Sequence, residues 1–226
     1  MKRITVLLAE DHMIVREGLR ALLGAEGDIE VVGEARTGRQ AVQLTKKLRP
    51  AVVVMDIAMP QLNGLEATQR ILKAVPATRV LILSAHGDDG YLRRVVALGA
   101  AGYLIKQTSA NLLARAIREV HKGNTFFSPS IAKRLRSLSL NAPDGCRSLK
   151  KKGALSSREL EVLQLIAEGK ANKQIARGLG ISIKTVEKHR QHLMRKLDLH
   201  DTAGVTRYAI AAGIIESSVQ VTIVKQ

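Results

Sequence analysis

Only one cysteine, Cys146, occurs in the 226 residues. An internal disulfide and any multi-cysteine zinc module are excluded, and the thiol content favours a reducing cytoplasm. Tryptophan is absent, and three tyrosines and two phenylalanines are all the aromatics. Stacking of unpaired bases on aromatic platforms is therefore a poor fit. Long apolar runs are also missing. The longest, Ala51 to Met55 and Tyr208 to Ile215, fall far short of the roughly 20 residues a membrane span needs. The opening Met1-Lys2-Arg3 and Ile4 to Ala9 imitate a signal peptide until Glu10 and Asp11 interrupt it, and a strand is expected there instead. Acidic side chains are the scarcer charge, 20 against 36 basic, for a net charge of +16. Such an excess points to a polyanion or an anionic membrane surface.

Hydrophobic residues make up 46% of the chain and mean hydropathy is +0.01, values of a chain that folds around a core. Short β-branched or leucine-rich runs recur at Ile4 to Leu8, Glu30 to Val32, Val52 to Met55, Val80 to Leu83 and Gly102 to Ile105. Between and after them, helical spacing predicts helices near 13–24, 38–48, 64–75, 88–98 and 108–121. Five alternating units imply a doubly wound parallel sheet with helices on both faces. Ser128 to Gly153 carries Pro129, Pro143, Gly145, several serines and Lys150-Lys151-Lys152, and its latter part reads as a linker. Helical signals alone come after it, up to a tail with a short apolar run at Val219 to Val224. Charge divides unevenly: residues 1–122 hold 18 basic and 12 acidic side chains, and residues 123–226 hold 18 and 8.

In an open parallel sheet, ligands bind beyond the carboxyl ends of the strands. The residues at those ends are polar: Glu10 and Asp11, Asp56, Ser84 and Lys106. Three acids at one edge repel one another unless a hard cation sits among them, and an all-oxygen donor set suits Mg²⁺ better than zinc. With a cation in place, Asp56 can attack a phosphoryl group as a carboxylate nucleophile, while Ser84 and Lys106 hold the transferred oxygens. A haloacid-dehalogenase-type phosphatase would also use such an aspartate, but the position of its second, general-acid aspartate is Ala58 here. His12 and His86 lie nearby and read as solvated histidines.

Glu10-Asp11, Met55-Asp56 with Met59-Pro60 and Asn63-Gly64, Ser84-Ala85, and Gly102-Tyr103-Leu104-Ile105-Lys106 resemble the receiver domain of two-component response regulators over about residues 1–122. The resemblance implies a sheet of flavodoxin-like order and an Asp56 phosphorylated by a sensor histidine kinase. It also implies Mg²⁺ held by Glu10, Asp11, Asp56 and the Ala58 carbonyl, and a switch formed by Ser84, Tyr103 and Lys106. Gln107 departs from the pattern, since many receivers have proline after the lysine.

In the second half, Ser156 and Glu159 have capping-box spacing, with Leu155 and Leu160 as a staple. A helix runs from there to Gly169, a short one spans about Asn172 to Leu179, and after Gly180 a third, capped by Ser182, runs to about Leu197. Two helices joined by so tight a turn make a helix-turn-helix. On a wheel, His189, Leu193 and Leu197 fall within about 60° of Val186, and the four form the packing face. Lys184, Glu187, Lys188, Gln191 and Arg195 lie opposite. That side suits major-groove entry, with Asn172 and Lys173 placed to touch the backbone.

The order Leu155-Ser156-x-Arg158-Glu159-x-Glu161-Val162-Leu163, Asn172-Lys173-Gln174-Ile175-Ala176, Ser182-x-Lys184-Thr185-Val186-Glu187-x-His189 is similar to the LuxR-type output domain. The whole chain thus resembles a NarL/FixJ-family response regulator. That resemblance adds Thr185 to the DNA contacts and implies a homodimer on promoter DNA, its contact made by Ala203, Val205, Ala209 and Ala212 on a last helix near 203–212. The expected organisation is a receiver at 1–122, a linker region at 123–149, an all-α helix-turn-helix domain at 150–215 and a tail at 216–226, in a cytoplasmic transcription regulator that neither enters a membrane nor acts as an enzyme. Two rivals are set aside: a sensor with the same output domain but a small-molecule pocket, because the strand-end site is polar, and, the more serious, phosphate-independent action through a degenerate receiver, because the acid set and Lys106 are intact.

Overall fold

The computed structural model describes residues 3–85, 89–106, 109–140 and 155–215. His86, Gln107 and the tail at 216–226 lie outside the described residues. The first half alternates β1 (Ile4–Ala9), α1 (Met13–Gly24), β2 (Ile29–Ala35), α2 (Gly38–Leu48), β3 (Val52–Asp56), α3 (Gly64–Ala74), β4 (Arg79–Ser84), α4 (Asp89–Leu98), β5 (Gly102–Ile105) and α5 (Ala110–His121). All strand pairs are parallel, in the order β2-β1-β3-β4-β5, with a sixth short strand, β6 (Phe126–Phe127), on the outer side of β5.

Alternate residues of each strand serve opposite faces, as the two-residue pleat requires. Leu7, Ala9, Val53 and Met55 pack under α2, α3 and α4, while Val6, Leu8, Val52 and Val54 pack under α1 and α5. Burial on both faces explains why the β3 and β4 runs are apolar throughout. The strands begin and end within a residue or so of the expected runs, apart from β2, which extends to Ala35.

The sheet has six strands where five were expected, and a helix, α6 (Pro129–Leu140), occupies part of the stretch read as linker. Two glycine and proline effects explain the miss. Gly102 presents no side chain to β6, and a Cβ there would stand 2.4 Å from the Phe126 carbonyl oxygen. Pro129, which reads as a breaker in sequence, is the first residue of α6, where its missing N–H costs nothing. Ile131 of α6 is buried in the α2–α4 core, so this half of the molecule runs to about residue 140.

The second half is helical: α7 (Ser157–Ala167), α8 (Asn172–Leu179), α9 (Ile183–Leu197) and α10 (Thr202–Ala211). The Ser156–Glu159 capping box forms in both directions. Gly180 ends α8 in the left-handed region at φ 65°, and Ser182 caps α9 by accepting from the Thr185 N–H. The core joins Val162, Leu163 and Ile166 to Ile175, Val186, Leu193, Val205 and Ala209.

Candidate functional site

The carboxyl ends of β1, β3, β4 and β5 bring Glu10, Asp11, Asp56, Ser84 and Lys106 to one edge of the sheet. Glu10, Asp56 and Ser84 are buried there, and so are Tyr103 and Asn63. Gly64 allows α3 to start against β3, since a Cβ would stand 1.8 Å from the Asp56 carbonyl oxygen. Asn63 caps that helix by accepting from the Glu66 N–H at 2.9 Å. Asp56 Oδ1 accepts from the Ile57 N–H at 2.8 Å. The Lys106 ammonium reaches both acids, 2.9 Å from Glu10 Oε2 and 3.0 Å from Asp56 Oδ2.

Burial pushes the Asp56 carboxyl up to about 6, the Glu10 charge adds to that, and Lys106 opposes it. Lys106 itself is raised: burial acts to lower it, but Asp56 and Glu10 outweigh burial. Three carboxyl groups thus meet a single lysine at the site. Three buried oxygens, Glu10 Oε2, Asp11 Oδ1 and Asp56 Oδ2, lack an aligned hydrogen bond, their contacts with Lys106 and His12 being ionic only. Ligand atoms of Glu10, Asp11, His12 and Asp56 lie within 4.8 Å of one another. Orphaned, clustered carboxylate oxygens are what a divalent cation satisfies, so the donor set fits a metal. Ala58 lines the same small cavity as Asp11.

His12, expected to be solvated, is exposed yet paired. Its Nδ1 lies 2.9 Å from Asp11 and 3.1 Å from Glu10; slight burial lowers its pKa, and the two acids raise it on balance. Arg16, absent from the sequence reading, is buried and donates to the Glu10 carbonyl at 2.9 Å and to Glu34 at 3.0 Å. An arginine on the buried side of an amphipathic α1 was the available signal.

In the second half, Lys184, Glu187, Lys188, Gln191 and Arg195 are exposed along one side of α9, while Val186 and Leu193 are buried on the other. Lys173 is exposed at the start of α8, beside half-buried Asn172. Thr185 is half-buried, its hydroxyl 2.8 Å from that of Ser182. Arg190 donates to the Thr202 hydroxyl at 2.5 Å, tying α9 to α10.

The α10 expectation needs correction: Val205 and Ala209 are wholly buried in the domain's own core, so their side chains are not available to a second copy. Stripes of small residues signal close packing without saying against what. Ala203 and Ile210 are exposed on α10, and Ala212 is half-buried just after it.

Sequence reading also missed where the two halves meet. Glu161 of α7 has a fully buried carboxylate held by Arg39 at 2.7 Å, Arg70 at 3.1 Å and Arg158 at 2.8 Å. Gln164, also buried, accepts from the Asn63 N–H at 2.8 Å and donates to the Met59 carbonyl at 2.9 Å. Glu168 accepts from the Gln61 N–H at 3.0 Å. Glu161, Gln164 and Glu168, on α7 and at its C-cap, were the only hint, and their partners in the first half have no local signature.

No helix among the described residues is long and apolar enough to cross a membrane. Residues 6–118 match the family model for the response regulator receiver domain, and residues 153–209 match that for bacterial regulatory proteins of the luxR family. The oxygen regulatory protein NreC of Staphylococcus carnosus is 37% identical over 214 residues, covering 93% of this chain and 99% of its own. The transcriptional regulatory protein MctR of Rhizobium johnstonii is 38% identical over 213 residues, 94% of this chain and 96% of its own. Among solved structures, the Salmonella typhimurium RcsB response regulator is similar with a TM-score of 0.58 at 28% identity, covering 93% of this chain and 100% of that one. An RcsB–DNA complex gives 0.57 at 27%, covering 92% and 98%. With a receiver fold carrying a strand-end acid cluster and a helix-turn-helix domain behind it, the chain belongs to the NarL/FixJ family of two-component response regulators, transcription regulators with a LuxR-type DNA-binding domain.

Proposed function

We propose that this regulator is phosphorylated on Asp56 by a sensor histidine kinase in the cytoplasm, and that the modified form binds promoter DNA as a homodimer. The observation that carries the reading is the convergence at the strand ends of Asp56 with Glu10 and Asp11, ligand atoms within 4.8 Å of one another, and of Lys106 at ion-pairing distance from Asp56 and Glu10. Mg²⁺ held by Glu10, Asp11, Asp56 and the Ala58 carbonyl would neutralise charge on an incoming phosphoryl group. Asp56 Oδ2 is the attacking oxygen on this reading, because Oδ1 is engaged by the Ile57 N–H. Lys106 and Ser84 steady the transferred oxygens, and Tyr103 is buried in the same core cluster as Leu92 and Val95 of α4.

On the DNA side, the exposed stripe Lys184, Glu187, Lys188, Gln191 and Arg195 enters the major groove. Thr185, Asn172 and Lys173 address the phosphates at its edge. The dimer contact passes to Ala203, Ala212 and the adjoining exposed Ile210. The RcsB–DNA complex, whose chain spans nearly this whole fold, supports this side of the reading. The test is phosphate incorporation from a small phosphodonor: it should be present in the wild type and absent in Asp56→Asn, and equal incorporation in both would refute the assignment.

A further inference from the structure

The opposite end of the receiver sheet, where the strands begin, holds a second cavity. It is open, measures about 850 Å³, and lies where α2, α3 and α5 end and β1, β3 and β4 start. Ala51 in its wall precedes Asp56 by five residues of extended chain, roughly 16 Å at the rise of a parallel strand, so the cavity and the acid cluster are separate sites. Its volume falls within the roughly 300–1,000 Å³ of small-molecule sites.

The lining carries charge of one sign. Arg3, Lys46, Arg49 and His121 line the cavity, and no aspartate or glutamate does. Arg3, Lys46 and Arg49 form no ion pair among the described residues. Other surface cations of the receiver do meet acids: Arg20 pairs with Glu34, Arg118 with Glu26 and Asp28, and Lys122 with Glu119. A cation in the last turn of a helix answers the helix dipole, which accounts for Lys46 at the end of α2 but not for Arg3, which arrives just before β1.

Arg49 adds a second observation. It caps α2 in the left-handed region, at φ 47° and ψ 55°, where glycine or asparagine is the usual residue, and the following Pro50 restricts it further. The chain thus carries an arginine at a backbone position made for glycine, and that arginine lines the cavity. The Thr78 hydroxyl donates to the Pro50 carbonyl at 2.8 Å, tying this turn to the start of β4. Thr5 Oγ1 accepts from the Ala51 N–H at 2.9 Å, and its own proton has no acceptor among the described residues. Residues 74–77 complete the lining with an apolar wall that has no aromatic ring.

We propose that this cavity binds a small molecule bearing a diphosphate group, its oxygens held by Arg3, Lys46, Arg49 and the Thr5 hydroxyl. An arginine fork takes phosphate oxygens in pairs and a lysine meets them as a point charge. Three unpaired cations match the two to three negative charges of a diphosphate, and the remaining volume admits an organic body along residues 74–77. The site does not depend on phosphorylation of Asp56.

The experiment titrates the full chain by calorimetry with adenosine diphosphate, pyrophosphate and adenosine, without Mg²⁺, so that no cation bridges the phosphates to the acid cluster. At about 0.15 M salt, wild type should bind one adenosine diphosphate per chain and no adenosine. Pyrophosphate binding as tightly as adenosine diphosphate assigns the site to the inorganic ion, and weaker pyrophosphate assigns it to a compound with an organic body; both support a diphosphate site. Arg49→Gly and Lys46→Ala should each weaken binding about tenfold, the lower magnitude for one charge-assisted hydrogen bond. Glycine suits the left-handed backbone, so Arg49→Gly should melt no lower than wild type. Arg115→Ala removes a positive charge from the exposed side of α5, outside the cavity, and should bind as wild type does. Saturation with duplex DNA, which occupies the cations of α9, should leave the affinity for adenosine diphosphate unchanged.

Four results would each overturn the proposal: no binding of either diphosphate to wild type, adenosine binding as tightly as adenosine diphosphate, wild-type affinity in Arg49→Gly or a loss in Arg115→Ala equal to that in the cavity variants, and displacement of the nucleotide by DNA.

Discussion

The strand-end site and the α9 stripe carry opposite charge in one chain, and they are built in opposite ways. At the first, Glu10 and Asp56 are sealed among apolar strands, so burial raises Asp56 to about 6 and a single lysine bridges the acids. At the second, cations stand in water on an ordinary helix face. A buried cluster concentrates charge in low dielectric, where each added or removed charge has a large effect. An exposed stripe leaves charges individually weak and additive, which suits reading a long polyanion through many small contacts.

The largest effect to break this contrast comes from Asp56. Besides abolishing phosphate incorporation, Asp56→Asn should stabilise the metal-free protein at neutral pH by about 1–3 kcal/mol, because a carboxyl raised from 3.8 to about 6 costs stability when ionised. The sign comes from proton uptake: the folded state binds that proton more readily than the unfolded chain. The difference from wild type should therefore shrink as pH falls through 6, which melting curves across that range would check. Saturating Mg²⁺ should also raise the wild-type melting temperature and leave the variant much less affected.

On the exposed side, Lys188→Ala should weaken operator binding by roughly 1–3 kcal/mol if the side chain meets a base, and Lys173→Ala should lower affinity evenly across sequences and flatten the salt dependence. Titrations at several salt concentrations separate the two. Between the regions, Glu161→Gln should loosen docking without unfolding either half. Burial acts to raise the Glu161 carboxyl, but Arg158, Arg70 and Arg39 hold it low. Its contribution is therefore complete above the ordinary 4.5 and lost as pH falls through the lower folded value, a loss the Gln variant should not show. Energy transfer between dyes placed on the two domains would track this loosening. The smallest effect is local: Ser156→Ala removes the α7 cap and should cost about 1 kcal/mol in thermal unfolding.

The legibility of these regions differed for a physical reason. Buried parallel strands announce themselves by continuous apolar runs, and the ligand edge lies just past the end of each run, so Glu10, Asp11, Asp56, Ser84 and Lys106 could be placed from the chain alone. The turn at Gly180 and the cap at Ser182 are likewise local chemistry. Contacts made across the fold were not legible. The contacts of Arg39, Arg70, Glu161 and Gln164 between the two halves carry no local signal, because those partners lie about 90 residues or more away. Val205 and Ala209 show the same limit, since small apolar residues fit a core and a dimer seam equally well. β6 and α6 were hidden behind a proline and a glycine whose roles depend on their neighbours.

The claim that one buried carboxylate governs the exposed stripe is tested most directly by measuring operator affinity with and without acetyl phosphate, on DNA recovered from genomic fragments bound by the protein. Tighter binding on phosphorylation of the wild type, absent in Asp56→Asn, is the expected result. Equal affinity in all four conditions, with phosphate incorporation verified, would contradict it.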